Sequence, residues 1–374
     1  AAVAVAKSDY WDQGVGYTFT RLVKKKLRLF MPMPFSSMIM QAQYYIPFLG
    51  GIQNDLLQKG TRSPSVLWAD KIGFAKCFKL MEEELNQQVK EGDKLVYYSL
   101  DFEKMDTTTG TSQYRNIFYP ILDAAFGRKD VLRDKIMDIT TTAPIYSPGG
   151  TMTGDHGTAS GAEVTNGGET VCNDYVQRRI LKILRKLLPK GWKIVVRRAN
   201  GDDSVLIFVI TCEFEVFKQA LLQAVEQACD ETGFRVQIDK QEISETNGFF
   251  CQHQLWYDIG KRKLNWLYPT SLILNSIINP QKQYKPADWD KDYRDLDVTE
   301  KLDNGHTHPW FTILIDYVDA GLKYPLLGKD EAETRRIISK YEKYRSLQSL
   351  GERYNRQDYH ISESPTLNYV LSKR

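Results

Sequence analysis

The clearest periodicity in the chain follows residue 170. Val176, Ile180, Ile183, Leu184 and Leu187 recur at three- and four-residue intervals, which places them on one face of a helix that Pro189-Lys-Gly191 stops. A second amphipathic helix is marked by Phe214, Phe217, Leu221, Ala224, Val225 and Ala228, and it breaks near Gly233. Between the two helices stand Ile194-Val-Val-Arg-Arg-Ala199 and Val205-Leu-Ile-Phe-Val-Ile210, separated by Asn200-Gly-Asp-Asp203. Two β-rich runs across a short polar tract with glycine form a hairpin. Upstream, an acid-rich helix through Glu82-Glu83-Glu84 leads to Gly92-Asp93 and then to Lys94-Leu-Val-Tyr-Tyr-Ser-Leu-Asp101, a strand ending on an acid. Downstream, Phe234-Arg-Val-Gln-Ile238 reads as a short strand that ends at Asp239-Lys240. Residues 249–257 and 264–267 read as a second hairpin, and the C-terminal part as mainly helical, as in residues 331–344. The order strand, helix, strand, strand, helix, strand implies an α+β sheet with helices on one face.

Composition narrows the classes. Of 374 residues, 42% are apolar and 26% charged, values of a soluble globular protein. At about 150 residues per domain, the length suits two or three packed units or one large composite. Lysine and arginine number 50 against 47 acids, so the net charge of +3 neither demands nor excludes a nucleic-acid partner. The longest apolar runs fall far short of the ~20 residues that span a bilayer, so no membrane span is expected. Five scattered cysteines, odd in number and without CxxC spacing, fit buried thiols in a reducing compartment. His306 and His308, in a loop flanked by Gly and Pro, read as surface residues. The start at Ala1, without methionine, reads as an internal start.

The candidate chemistry lies in acids. Asp202 and Asp203 adjoin at a tight turn, where like charges repel unless a cation is bound or one acid is protonated. Asp101 ends a separate strand, and a strand beside the hairpin would bring it to the same spot. Carboxylates without histidine or thiolate are hard oxygen ligands suited to Mg²⁺ or Mn²⁺, with open positions for phosphates. Asn-Gly-Asp-Asp alone is an ordinary turn, and Asp101 alone an ordinary strand-terminal acid. Their joint occurrence, with a Gly/Ser/Thr-rich loop over residues 147–168 between them, changes the reading.

At these residues the chain resembles viral RNA-dependent RNA polymerases. Asp101-Phe-Glu-Lys-Met-Asp106 is similar to their motif A, Ser160-Gly161 with Thr165, Thr170 and Asn173 to motif B, and Gly201-Asp202-Asp203 to motif C. Lys25 through Arg28-Leu-Phe-Met-Pro32 resembles motif F, residues 233–240 motif D, and Phe249-Phe250-Cys251-Gln252 motif E. Pro269-Thr270 through Leu274-Asn275-Ser276 is most similar to the picobirnavirus group, with partitiviruses next.

The resemblance implies a right-handed polymerase fold: a palm of antiparallel sheet and helices, partial fingers and a mainly helical thumb. Residues 1–92 would be fingers, 93–110 palm, 111–150 a fingers or palm insertion, 151–268 palm and 269–374 thumb. The start at Ala1 would then be a truncation within the fingers.

It implies two Mg²⁺ ions, replaceable by Mn²⁺, held mainly by Asp101 and Asp202 with Asp203 a weaker partner. The 3′-hydroxyl of the growing strand would attack the α-phosphate in line and release pyrophosphate, with Lys240 as general acid. Arg28 and Lys25 or Lys26 would neutralise the triphosphate. Asp106 would accept the ribose 2′-hydroxyl, its partner being Glu169, Thr170 or Asn173. Ser160, Gly161 and Thr165 would line the nucleotide and template side, and Phe250, Cys251 and Gln252 the primer side.

Basic segments such as residues 178–190 and Arg197-Arg198 would line a phosphate path. Implied partners are template and nascent RNA, ribonucleoside triphosphates and a viral capsid protein, in the virion interior or host cytoplasm. Two rival readings are a reverse-transcriptase-like palm and a catalytically dead palm that binds RNA or capsid.

Overall fold

A computed structural model describes residues 16–30 except 18, 24 and 25, residue 33, residues 35–59, residues 74–236 except 148, 149, 160, 161 and 163, and residues 241–278, 298, 302, 310–321 and 365–373. The chain divides into two compact units, Ala1–Trp68 with Glu84–Cys251, and Ala69–Glu83 with Gln252–Arg374.

The first unit begins with the short strand β1 (Gly16–Tyr17) and a hairpin of β2 (Phe19–Val23) and β3 (Lys26–Phe30), in which Arg21 stands opposite Arg28. Helices α1 (Phe35–Lys59) and α2 (Phe74–Gln88) follow, the latter with residues in both units. Strand β4 (Lys94–Leu100) leads to the short helix α3 (Met105–Thr108). One π turn, Tyr114–Phe118, runs into α4 (Tyr119–Phe126), and α5 (Val131–Thr142) comes next. After β5 (Ile145–Ser147) and β6 (Gly150–Met152) come α6 (Thr165–Leu187), β7 (Trp192–Asn200), β8 (Asp203–Ile210) and α7 (Phe214–Thr232). Strands β9 (Glu242–Ser244) and β10 (Gly248–Phe250) close this unit.

Four of these strands form an antiparallel sheet in the order β7-β8-β4-β9. Side chains alternate across it. Val96, Tyr98 and Leu100 of β4 and Leu206, Phe208 and Ile210 of β8 join one core with the apolar stripes of α6 and α7. Those stripes hold the residues that the periodicity singled out, Ile180 and Leu184 on α6 and Phe217, Leu221 and Val225 on α7 among them.

The other face is buried as well, through Tyr97, Val205 and Ile207. Strand β10 contributes there, since the Phe249 amide donates to Ser99 Oγ over 2.7 Å. A Cβ at Gly248 would lie 3.0 Å from that of Tyr97, so this approach suits glycine. Coverage on both faces explains why β8 reads as an unbroken apolar run.

The fourth strand of the sheet is β9. Of the strand expected at residues 234–238, Val236 bridges to Phe102, and residues 237–240 lie outside the described residues. One expectation is corrected. The run 249–257 is not one strand, because Cys251 and Gln252 take left-handed φ values of 47° and 68° and turn the chain. Cys77, Cys172, Cys229 and Cys251 are buried as expected, whereas Cys212 is half-buried.

In the second unit, β11 (His253–Asp258) and β12 (Lys263–Leu267) form a hairpin with Asp258 opposite Lys263. Phe78 packs on His253 and Trp266 at centroid distances of 5.0 and 5.2 Å, and the Leu264 amide donates to Glu82 Oε2. Helices α8 (Thr270–Ile278), α9 (Phe311–Gly321) and α10 (Pro365–Ser372) complete its described elements. The helix expected at residues 331–344 lies outside the described residues. Among the described residues no helix is long and apolar enough to cross a membrane.

Candidate active site

Strand register sets the acids. Leu100, the last residue of β4, pairs with Ser204, so Asp101 emerges beside the end of β8 that Asp203 opens. Asp203 stands opposite Asn200, and Gly201-Asp202 makes the two-residue turn between them. Gly201 has φ 59°, a value that favours glycine at the first central position of such a hairpin. Asp101, Asp202 and Asp203 are all exposed at this end of the sheet.

Helix α6 supports the turn from below. The Gly201 amide donates to Thr170 Oγ1 over 2.7 Å, and Thr170 Oγ1 in turn donates to the Asn166 carbonyl. Asn173 Nδ2 donates to the carbonyls of Gly201 and Asp203 over 2.9 and 3.2 Å. Its Oδ1 accepts from Ser204 Oγ and Gln177 Nε2, and Gln177 also donates to the Arg198 carbonyl. Thr170 and Asn173 are wholly buried. Expected to touch nucleotide, they instead hold the backbone of the acidic turn.

Motif A and the segment before Ser160 are also joined. The Thr158 amide donates to the Asp106 carbonyl over 2.6 Å, and Thr158 Oγ1 to the Thr109 carbonyl over 2.7 Å. At Gly157, φ 83°, a Cβ would meet the Asp106 carbonyl oxygen at 2.5 Å, so the two backbones touch. Thr165 Oγ1 donates back to the Ala159 carbonyl, closing this loop on the start of α6. Ser160 and Gly161 themselves lie outside the described residues, as do Lys25 and Lys240.

Glu169 bears on a point that the sequence left open. It is 5% exposed, and burial, then the charges of Asp106 and Asp202, push its carboxyl well above the usual carboxylate range. Asp106 acts on it by charge and by a side-chain hydrogen bond, whereas Thr170 and Asn173 face the turn backbone. Glu169 Oε1 is buried without a hydrogen-bond partner.

The basic residues divide. Arg198 and Glu84 form a buried ion pair at 3.0 Å, and Arg197 pairs with Asp174 at 3.0 Å. Arg197-Arg198 therefore does not line a phosphate path: both guanidinium groups serve internal pairs. Lys26 and Arg28 lie on β3. Phe250 and Cys251 are buried, and Cys251 Sγ accepts from Asn200 Nδ2 at 3.5 Å. Their place is in packing next to the turn, whereas Gln252 is exposed, its Oε1 accepting from Tyr268.

No protein-family model and no curated protein matches this chain. Solved structures do. The RNA-dependent RNA polymerase of a human picobirnavirus superposes with a TM-score of 0.70 at 18% identity, over 96% of this chain and 66% of that one. The insertion-loop deletion mutant of such a polymerase gives 0.67 at 16% identity, over 96% and 65%. The fold is that of a viral RNA-dependent RNA polymerase. The chain spans about two thirds of the length of those polymerases.

The fold family implies divalent metal, and the donor set can be tested for fit. Among the described residues no three His, Cys, Asp or Glu side chains gather as a closed ion site. Mg²⁺ does not require one, since it binds through one or two carboxylates and completes its shell with water and phosphate oxygens. Asp101 and Asp202 at adjacent strand ends supply hard oxygen donors of that number. Burial first, and then the charges of Asp106 and Asp202, raise Glu169, and a cation would offset the second of these. The residues fit.

Proposed function

We propose that this chain performs template-directed RNA synthesis from ribonucleoside triphosphates. One observation carries the reading: strand register brings Asp101 beside a two-residue acidic turn whose backbone α6 holds through Thr170 and Asn173. Such rigid support under exposed acids suits a site that must keep carboxylates fixed against a changing ligand.

Asp101 and Asp202 hold Mg²⁺ in this proposal, with Asp203 a weaker partner. Held there, two such ions would supply acidity to the 3′-hydroxyl and positive charge to the leaving pyrophosphate. The rest falls to the chain. Lys25 or Lys26 and Arg28 steady the triphosphate, and Lys240 donates a proton to the departing pyrophosphate. Asp106 accepts the 2′-hydroxyl of the incoming ribose, with Glu169 orienting it. A small acid there leaves room for that hydroxyl, which favours ribonucleotides. Ser160 and Gly161 are assigned to the template and Gln252 to the primer in this reading. RNA and a viral capsid protein are the proposed partners, in the virion interior or host cytoplasm.

Extension of a primed RNA by the purified chain with Mg²⁺ and all four ribonucleotides tests this. Incorporation that vanishes in Asp202→Ala supports it. No incorporation by the folded protein, or a preference for deoxyribonucleotides, rejects it.

A further inference from the structure

Gln241 stands 140 positions from Asp101 in the chain and grips it with one amide. Strand β9 pairs with β4 through Ser99 and Glu242, and the ladder then stops. Beyond that rung the Gln241 side chain takes over. Its Nε2 donates to the Asp101 carbonyl over 2.8 Å, and its Oε1 accepts from the Asp101 amide at 3.3 Å. Oε1 also accepts from the hydroxyl of Tyr98 at 2.9 Å, a side chain wholly buried in β4.

The Asp101 N–H and C=O belong to the two peptide planes that flank its Cα. Holding both fixes the backbone angles of Asp101, and with them the direction of its Cα–Cβ bond. Few side chains can do this, because the task needs a donor and an acceptor on one planar group at the end of a long stem. A flipped amide would face donor to donor and acceptor to acceptor, so the Asp101 backbone also sets its orientation.

We propose that Gln241 is a positioning residue that aims the Asp101 carboxylate at the catalytic cation. This deepens the polymerase reading and rests on it. Gln241 directly follows Lys240, the proposed proton donor, in the chain.

The test compares the wild type with Gln241→Met, which keeps the side-chain length and loses both polar atoms. Nucleotide incorporation and Mn²⁺ binding, read by water-proton relaxation, are measured beside thermal unfolding, with Asp101→Ala as the control for the site. The expected result is Mn²⁺ affinity and kcat each lowered by about 10- to 100-fold, as for lost outer-shell partners of metal ligands. KM for the nucleotide should stay within about twofold, since no substrate contact is removed. Tyr98→Phe should weaken Mn²⁺ binding in the same direction, and should add nothing in a Gln241→Met background.

Wild-type Mn²⁺ affinity and kcat in Gln241→Met, with or without a lower Tm, overturn the inference and leave the polymerase reading standing. A wild type that binds no Mn²⁺ sensitive to Asp101→Ala, and extends no RNA, overturns both.

Discussion

Asn173 lies directly beneath Gly201, its Nδ2 2.9 Å from the Gly201 carbonyl oxygen, and every hydrogen-bonding capacity of its amide is used. Asn173→Ala leaves the carbonyls of Gly201 and Asp203 and the Ser204 hydroxyl short of partners. The expected loss of stability is about 1–3 kcal/mol. RNA synthesis should fall further than the unfolded fraction explains, because the freed turn carries Asp202. Urea unfolding and an extension assay on the same sample decide the matter; full activity per folded molecule would contradict it.

Asp101→Ala and Asp202→Ala should each abolish incorporation without lowering Tm. The acids are exposed, and Asp202 adds to the negative field in which Glu169 sits, so its removal relieves repulsion. Differential scanning calorimetry beside the extension assay checks both halves of the claim.

Glu169 makes stability depend on pH in a definite direction. Its folded pKa is raised, first by burial and then by Asp106 and Asp202. The native state therefore keeps a proton that the unfolded chain releases near its ordinary value of about 4.3. This contribution is fully present below that value and is lost as pH rises through the raised folded pKa. Denaturation midpoints from mildly acidic to mildly alkaline pH should fall for the wild type and fall less for Glu169→Gln. Parallel curves would refute the assignment.

Gly168→Ala sets two effects against each other. Alanine is a better helix former than glycine by about 1 kcal/mol. Yet a Cβ at Gly168 would lie 2.2 Å from the Tyr114 ring, itself wholly buried, and overpacking costs about 1–3 kcal/mol or more. The clash should win, and the variant should unfold at lower denaturant than the wild type.

Glu84→Ala should destabilise by about 3–5 kcal/mol, since it leaves the Arg198 guanidinium buried without its counter-charge. Glu84→Leu combined with Arg198→Met should recover most of that loss. A double variant as unstable as Glu84→Ala would show that the pair itself, not the stranded charge, matters.

The helices α6 and α7 and the β7–β8 hairpin were legible in the sequence because local periodicity and turn chemistry encode them. The acids at strand ends were legible by residue type. Thr170 and Asn173 were found, but their work was not. Whether a polar side chain meets a ribose or a backbone carbonyl depends on how a helix sits under a hairpin, which no local pattern records. Gln241 gave no signal at all, since its partners Asp101 and Tyr98 lie 140 and 143 positions away. The turn at Cys251 and Gln252 was hidden for another reason: left-handed backbone there is carried by residues that rarely adopt it. Arg197 and Arg198 misled because charge in a sequence does not say whether its counter-charge lies inside.

The bond from the Gly201 amide to the buried Thr170 hydroxyl bears on how the hairpin tip opens. Tips of two-residue hairpins ordinarily fray, and their amides exchange with solvent almost as fast as in a free peptide. Here the proton at the apex is released only when α6 and the β7–β8 turn come apart. Its deuterium exchange should therefore track the opening of the protein's core, so that a single slow amide beside three exposed acids reports on the integrity of the scaffold beneath them.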